Sequence, residues 1–554
     1  MLQIVMCSLF VCLSDIMYAI NEVWLNSYVV NEYVHSTHAI NSLYNALLLM
    51  EYAYDAALYS DVLAELNEDD IYTDITIGFG LAFMTVLSAG LQKIIGEGNN
   101  DSDNANVEYV YYFTLISFIA AIYSCATIID SALCYCHSAL VNDLFIECWI
   151  FVMASIVLIF TVNYNKALGI LSYEYVALLL LCTWSFAMFI ESEDLIILYL
   201  LVELQSLGSY VLTAMNRNNR LSIEAGIKYF ILGSLSSIIL VLGLSLIYGF
   251  SGTINIHDFS MYIVTMPETD DVVLVYYLVF SVFLIMVGFL FKIYAAPFHF
   301  WVADIYYGAP TSITMYFATV PVVSYIYMFM KIYINVFAVL ENILSNVIMV
   351  FAILSMIFGV FGGLLQRRIK KFVAYSSVST IGYILIGIYC NNIVATQQCL
   401  LYLFIYSINL IGIFIIIIHY RKQYSLDHIR QLSGLYIQNK YIAISFSVYL
   451  FSLAGIPPLA GFIGKLYLFT SYAIDGMYFL IVISVIFTLI GCYYYIRIIK
   501  MIFYDRMHFS IQVCTYEYYV AWSLLFIVLF NVTLIFLLPL FDNIFMLISI
   551  CLHE

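Results

Sequence analysis

Long apolar stretches separated by short polar ones follow one another along this chain from Ile75 onward. A helix needs about 20 consecutive apolar residues to cross the hydrocarbon core of a bilayer, and these stretches have that length. The pattern predicts an all-α polytopic membrane protein with fourteen core transmembrane helices. Their approximate bounds are 75–95, 108–130, 144–163, 174–190, 195–215, 223–250, 274–306, 311–337, 343–365, 372–390, 395–419, 441–475, 477–503 and 517–548.

The first 73 residues do not fit this pattern and are predicted to form an N-terminal extension with one or two helices. Residues 2–20 are apolar but contain Asp15 and lack a basic start and a clear cleavage site, which favours a retained helix over a signal peptide. Residues 37–65 carry four acidic side chains, so we expect a helix that packs on a surface or a partner. Residues 1–110 hold fifteen acidic residues and one basic residue, which argues against nucleic-acid binding and predicts contact with water or a partner subunit.

The composition agrees with a protein that lies mostly in lipid. Hydrophobic residues make up 64% of the chain and charged residues 10%, whereas soluble domains carry about 25% charged residues. The twelve cysteines are scattered, and the closest group, Cys134, Cys136 and His137, lacks a second pair of ligands. The sequence has no Cys-x-x-Cys pair, phosphate-binding glycine loop or dinucleotide motif, so we expect no redox cofactor and no metal in this chain.

Basic residues lie at alternate segment ends. They follow segments 5, 9, 11 and 13, whereas the loops between these ends are acidic or neutral. Loops on the cytoplasmic side of a membrane, or on its organellar equivalent, are enriched in Lys and Arg, so this alternation predicts one consistent orientation. The basic residues are Arg217, Arg220, Arg367, Arg368, Lys370, Lys371, Arg421, Lys422, Arg430, Lys440, Arg497, Lys500 and Arg506.

Segments 7 and 12 are longer than plain spans, and each combines prolines with a lysine. Lys292 lies five residues before Pro297, and Lys465 follows Pro457 and Pro458. Proline breaks the helical hydrogen-bond pattern, and matching breaks in two halves of a membrane protein indicate inverted repeats around a transport site. The predicted units are the extension (1–73), helices 1–3 (74–165), repeat one (helices 4–8, 166–340), repeat two (helices 9–13, 341–510) and a C-terminal helix (511–554).

Charged side chains inside the predicted spans are the candidate functional residues, because a charge at membrane depth is costly without a partner or a water-filled cavity. Glu203 in segment 5 and Lys228 in segment 6 differ in depth by about 6 Å, so they can form an ion pair, either structural or functional. Lys292 and Lys465 have no obvious counter-charge nearby in sequence. A buried lysine can exchange its proton, which an arginine cannot. The alternative is that each lysine extends to the membrane interface.

Three other charged or titratable residues have less certain roles. His299 and Asp304 follow the break in segment 7, where either can extend a proton path or brace the break. Lys331 lies about twenty residues into segment 8, so we expect its side chain to extend to the far interface.

Four motifs resemble the antiporter-like subunits of respiratory complex I. Residues 291–311 and 368–377 resemble two signatures of that family. Residues 203–207 and 453–465 resemble most closely its subunit 2 branch, called subunit N in bacteria, whose larger paralogues typically have glutamate in place of Lys465. The resemblance extends over most of the chain beyond the N-terminal extension.

The resemblance implies a core of fourteen helices with two inverted five-helix repeats and broken helices 7 and 12. It implies a subunit of a proton-translocating NADH:ubiquinone reductase in the mitochondrial inner membrane or a bacterial plasma membrane. Flavin, iron–sulfur clusters and quinone are then expected in partner subunits, with other antiporter-like subunits as neighbours. In the implied proton relay, Glu203 and Lys228 form a modulating pair, Lys292 is the central carrier and Lys465 the terminal lysine.

Two positions depart from the family pattern. Val322 stands where the family usually has a lysine in helix 8, and Lys331 is a poor substitute because it lies about 13 Å further along the axis on the opposite face. Thr380 stands where helix 10 often has histidine, so Thr380, Ser377 or tyrosines would have to hold water in the gap. Two alternatives therefore remain open, a stand-alone cation/proton antiporter and a non-pumping scaffold subunit of the same complex.

Overall fold

The computed structural model describes residues 138–170, 172–265, 272–337, 341–423, 427–505 and 518–553, together with a few helical residues between 114 and 122. Several predictions fall outside these residues: the extension at 1–73, segment 1, most of segment 2, and the group of Cys134, Cys136 and His137.

Helices account for all the regular structure of the described residues apart from isolated β-bridges. In chain order the α-helices are α1 (Ser138–Leu168), α2 (Tyr173–Glu191), α3 (Leu195–Thr213), α4 (Arg220–Ser251), α5 (Ile256–Thr265), α6 (Val272–Lys292), α7 (Phe300–Gly308), α8 (Thr311–Phe337), α9 (Glu341–Leu365), α10 (Ile369–Cys390), α11 (Ile393–Gln423), α12 (Leu435–Gln438), α13 (Lys440–Ala454), α14 (Ala460–Ile474), α15 (Tyr478–Phe503) and α16 (Tyr518–His553). A short 3-10 helix covers Ile429–Leu432.

Nine of these helices are long and apolar enough to cross a membrane, or ten when α16 is included, counted over the described residues. This confirms the prediction of an all-α polytopic membrane protein. The arrangement of fourteen helices in two inverted repeats, with its domain boundaries, stays a prediction.

Polar residues and glycines set several helix ends. The side chain of Asn219 accepts a hydrogen bond from the backbone N–H of Leu221 at 3.0 Å and so caps the start of α4. The same helix ends at Gly252, whose φ of 70° lies in the left-handed region that glycine adopts without a steric penalty.

Both long segments are broken where the prolines predict. The first break separates α6, which ends at Lys292, from α7, and the second separates α13 from α14. Tyr294 in the first break has a φ of 53°, and Gly455 in the second has a φ of 82°. A bulky residue in the left-handed region carries strain of about 1–3 kcal/mol. The surrounding packing therefore has to hold Tyr294 in place, and such strain is common at functional sites.

The centre of the described bundle consists of α8, α10 and α11. Their spans are 94%, 89% and 89% buried, against 39% for α4 and 28% for α15. Of the three central helices, α10 packs against both α7 and α14, the second halves of the two broken segments. Polar side chains on α10 and its neighbour α11 therefore lie between the two breaks.

The basic segment ends meet on one side of the bundle. The backbone N–H of Ile429 donates to the carbonyl of Arg367 at 2.9 Å, and that of Gly434 donates to Met501 at 3.3 Å. These bonds join the chain after α9, the chain after α11 and the end of α15. Their common location agrees with the single orientation predicted from the distribution of Lys and Arg.

Candidate functional site

Lys292 is buried at the end of α6, with 7% of its surface exposed. Its sequence neighbours Phe291, Ile293 and Tyr294 are buried as well, which keeps the ammonium group away from solvent. Lys292 makes no direct ion pair with any described residue, and the charge that attracts it is the carboxylate of Glu203 on α3. A proton can therefore leave or reach Lys292 without breaking a salt bridge.

Glu203 is half-buried and only partly satisfied by hydrogen bonds. The hydroxyl of Ser206, one turn further along α3, lies 3.4 Å from Oε2 of Glu203 as a weak donor. Its other oxygen, Oε1, is buried and has no hydrogen-bond partner among the described residues. Glu203 thus keeps one carboxylate oxygen that can still accept a hydrogen bond.

Lys228 does not form the predicted ion pair with Glu203. Its Nζ lies 2.7 Å from Oε1 of Glu224, one turn earlier on α4, and 3.4 Å from Oδ2 of Asp304 on α7. The Lys228 side chain is 45% exposed. The sequence predicts a similar depth for Glu203 and Lys228, but the rotation of α4 about its axis decides which partner Lys228 contacts.

Asp304 links three helices through its carboxylate. Besides Lys228, it binds Nζ of Lys371, near the start of α10, at 2.6 Å. Of the two roles predicted for Asp304, this geometry supports bracing of the half-helix α7. His299 is buried before the same half-helix, where its ring stacks on Phe358 with a centroid distance of 5.2 Å and its Nδ1 has no partner among the described residues.

Lys465 caps the C-terminal end of the half-helix α13. Its Nζ donates to the carbonyls of Leu453 at 2.7 Å and Ala454 at 3.1 Å, and only 8% of the residue is exposed. The last carbonyls of a helix lack partners within the helix and carry partial negative charge. The same ammonium lies 5.6 Å from the ring centre of Tyr383 on α10. Lys465 is therefore buried against a helix end instead of a carboxylate.

A group of buried hydroxyl side chains lies between the two lysines, and we call it the hydroxyl row. Its members are Tyr294, Tyr306, Ser377, Thr380, Tyr383, Tyr402 and Tyr406, all of them buried. They come from the first break, from α7 and from the central helices α10 and α11. The sequence singled out Thr380 and Ser377, but not which tyrosines would accompany them.

The row begins beside Lys292. The rings of Tyr294 and Tyr306 lie 6.5 Å apart, and the hydroxyl of Tyr294 also faces Ser377. On α11 the hydroxyl of Tyr406 faces Ser377 and Thr380. Ser377 and Thr380 donate their own hydrogens to the α10 backbone at 2.6 and 2.8 Å, so their oxygens remain available as acceptors.

The row ends beside Lys465. Tyr402 lies one turn from Tyr406 on α11 and packs closely on Gly464, where an added Cβ would come within 2.8 Å of its ring. Tyr383 lies on α10, two turns beyond Ser377, and approaches both Tyr402 and Lys465. The hydroxyls of Tyr294, Tyr306 and Tyr406 are buried without a hydrogen-bond partner among the described residues. Buried polar groups of this kind are ordinarily satisfied by ordered water.

Val322 is an apolar residue at the position where the family resemblance implies a lysine. The residue is 2% exposed on the buried helix α8. On the same helix, Nζ of Lys331 binds Oδ2 of Asp143 on α1 at 2.8 Å and the carbonyl of Ile190 at 3.0 Å. The extension of Lys331 to the far interface stays a prediction. The Lys331 and Asp143 side chains are each 16% exposed. Lys331 is thus held in an ion pair at the far end of α8.

Sequence reasoning missed Asp143 and its neighbour Glu147. Glu147 is fully buried one turn further along α1, and it lies close to Glu191 at the end of α2. The available signal was the spacing of four residues, which places Asp143 and Glu147 on one helix face. The predicted start of segment 3 at residue 144 leaves Asp143 outside the span.

Replacing Lys331 with methionine is expected to destabilise the folded protein by about 3 kcal/mol, because it leaves Asp143 charged and without its ammonium partner in a mostly buried place. The measurement is thermal unfolding of the protein in mild detergent. The control is the exchanged pair Lys331→Asp with Asp143→Lys, which should recover part of the loss. Unchanged stability of Lys331→Met would show that the ion pair contributes nothing.

Comparison with known proteins identifies the family. Residues 192–491, more than half of the chain, match the family model described as NADH:quinone oxidoreductase/Mrp antiporter, TM. The chain belongs to this family.

Two relatives show the branch of the family to which the chain is similar. The chain is 38% identical over 335 residues to NADH-quinone oxidoreductase subunit N of Rhodospirillum rubrum, covering 60% of this chain and 68% of the relative. It is 37% identical over 377 residues to NADH-ubiquinone oxidoreductase chain 2 of Marchantia polymorpha, covering 66% of this chain and 75% of the relative. These matches confirm the predicted branch, subunit 2 or N.

A solved structure of low sequence identity has the same fold. A chain of respiratory complex I from Thermus thermophilus with bound aureothin aligns with a TM-score of 0.65 and 21% identity, covering 83% of this chain and 98% of that one. The relationship in fold therefore extends well beyond the 300 residues of the family match.

Proposed function

We propose that this chain is a core membrane subunit of NADH:ubiquinone oxidoreductase that translocates protons, in the mitochondrial inner membrane or a bacterial plasma membrane. The observation that carries the proposal is Lys292, buried at the break between α6 and α7 and attracted by the carboxylate of Glu203. The family adds the context, because relatives bear the names of NADH–quinone oxidoreductase subunits. Flavin, iron–sulfur clusters and quinone then belong to partner subunits, and other antiporter-like subunits are the expected neighbours.

The proposed coupling is electrostatic. Charge on Glu203 favours the protonated form of Lys292, and neutralising Glu203 favours release of that proton. Lys228 does not modulate Lys292 as the ion-pair partner of Glu203, since its own partners are Glu224 and Asp304. A change at Lys228 reaches the break through Asp304 and α7, instead of through a direct bond to Glu203.

We propose that the hydroxyl row, with bound water, carries protons between Lys292 and Lys465 in place of a lysine at Val322. A hydroxyl donates one hydrogen and accepts another, so it can pass a proton along and end in its starting form. Ser377 and Tyr383 are about 9 Å apart along α10, and Tyr402 and Tyr406 about 6 Å along α11. These separations exceed hydrogen-bond reach, so the bound water supplies the transfers between the hydroxyls. This is the basis for preferring an active subunit over a scaffold.

Replacing Tyr406 with phenylalanine should slow proton translocation by roughly tenfold or more, since a positioned proton donor contributes on the order of 100-fold. The ring and its packing remain, and only the hydroxyl facing Ser377 and Thr380 is lost. Translocation is measured as acidification of proteoliposomes containing the whole complex, driven by NADH and quinone.

The matched control is Tyr449→Phe. Tyr449 is also fully buried, but its hydroxyl donates to the carbonyl of Leu524 at 2.8 Å, away from the row. We expect translocation to stay near the wild-type rate in this variant. Equal rates in Tyr406→Phe and Tyr449→Phe would rule out Tyr406 as part of the path.

The function itself is tested by isolating the chain in mild detergent. The proposal requires that it purify in a large complex with flavin and iron–sulfur proteins. Isolation without them, together with sodium or potassium exchange for protons, would instead establish the stand-alone antiporter.

A further inference from the structure

A cavity of 310 Å³ opens on the basic side of the bundle. It lies between the chain after α9, the 3-10 helix and the end of α15. Its polar lining includes Arg367, Arg430, Arg497 and His428, and its apolar lining includes Leu364 and Ile498. The proton path described above does not use this cavity.

The three arginines at this cavity have no acidic partner in the part of the chain that the structure describes. None of Arg367, Arg430 and Arg497 forms an ion pair with a described residue, and the nearby Asp427 is bound by Arg421. All three arginines are exposed where they line the cavity, so their positive charges are available to an anion that enters it. Arginine binds phosphate oxygens in a bidentate manner, so a phosphate group fits this lining.

The arginines are brought together by fixed parts of the backbone. The hydrogen bond from Ile429 to the carbonyl of Arg367 holds the 3-10 helix, which carries Arg430, against the end of α9. The hydrogen bond from the backbone N–H of Gly434 to the carbonyl of Met501 holds the same segment against α15. Met501 lies four residues beyond Arg497 on that helix. The backbone segments that carry the three arginines are therefore held together around the cavity.

Apolar helix faces lead from the cavity toward the membrane interior. On α9, Leu365 is 80% exposed, and Phe361 is exposed one turn earlier. On α15, Tyr493 and Leu489 are exposed on the part of the helix that precedes Arg497. A ligand with a phosphate at the arginines and hydrocarbon chains along these faces satisfies both surfaces.

We propose that this cavity binds an anionic phospholipid, with its phosphate at Arg367, Arg430 and Arg497 and its acyl chains along α9 and α15. Basic pockets between transmembrane helices on the cytoplasmic or matrix side suit the head groups of such lipids. A soluble phosphate compound would meet the arginines but not the apolar faces. An acidic segment of a neighbouring protein could contact both surfaces only if it also carried an apolar face.

The test compares the whole complex containing wild-type chain with the triple variant R367Q/R430Q/R497Q in nanodiscs of phosphatidylcholine. Headgroup-labelled phosphatidylglycerol is titrated in, and binding is followed by fluorescence. The triple variant should bind roughly 100-fold more weakly, since each basic residue near an anionic membrane contributes about a fivefold factor. The control R217Q/R220Q/K440Q removes the same charge from residues outside the cavity lining. It should change binding less than about twofold, because salt screens charges that lie beyond a Debye length from the bound phosphate.

Three outcomes would overturn the proposal. Equal phosphatidylglycerol binding by the wild type and the triple variant would show that the arginines bind no lipid. Complete displacement of the lipid by millimolar inorganic phosphate would identify a site for free phosphate. Loss of a neighbouring subunit from the triple variant, with lipid binding intact, would identify a protein interface.

Discussion

Replacing Lys292 with alanine is expected to reduce NADH-driven proton translocation by roughly tenfold or more, as for the loss of a positioned proton donor. The residue is 7% exposed, and the described part of the chain offers no other lysine at the first break to take its place. Assembly should persist, because Lys292 makes no direct ion pair with a described residue. Proteoliposome acidification and the rate of NADH oxidation are measured on the same preparation.

Lys292→Arg is the matched control. Arginine keeps the positive charge beside Glu203 but does not release its proton. Translocation should therefore fail in this variant too, although the charge is retained. If either Lys292→Ala or Lys292→Arg pumps at the wild-type rate, Lys292 is not the carrier.

Replacing Lys465 with methionine is expected to affect both translocation and stability. Translocation should fall by roughly tenfold or more, because the terminal proton carrier is lost. Thermal stability should also fall, by about 1–3 kcal/mol, since the buried carbonyls of Leu453 and Ala454 lose their charged donor. Both quantities are measured on the assembled complex, the second as thermal unfolding of this subunit.

Lys465→Arg separates the two effects. The guanidinium can still donate to the carbonyls at the end of α13, so we expect most of the stability to be retained, whereas proton release is lost. An arginine variant that translocates protons normally would show that Lys465 only caps the half-helix. A methionine variant with unchanged stability would show that the two hydrogen bonds contribute little.

The two breaks could be predicted from the sequence because their cause is local. A proline within an apolar run disrupts its own helix wherever the rest of the chain lies, and Pro297, Pro457 and Pro458 do so here. Burial of Lys292 and Lys465 follows from the length of the apolar runs around them. These features required no knowledge of neighbouring helices.

The partners of the charged side chains could not be predicted in the same way. Lys228 and Lys331 each bind a carboxylate from a distant part of the chain, Asp304 and Asp143 respectively. Which carboxylate each lysine meets depends on how the helices are rotated and packed, and sequence gives depth but not rotation. The hydroxyl row was hidden for another reason: 50 of the 554 residues are tyrosines, so their presence near Thr380 carries no signal without the fold.

The carboxylate of Asp304 has a mechanical consequence for the half-helix α7. It is shared between Lys228 on α4 and Lys371 on α10, at 3.4 and 2.6 Å. Because Coulomb attraction weakens with separation, a displacement of α7 away from either lysine weakens the ion pair with that lysine. The two lysines belong to different predicted repeats. We therefore expect a change of charge at either lysine to shift the resting position of α7, which follows the strained backbone beside Lys292.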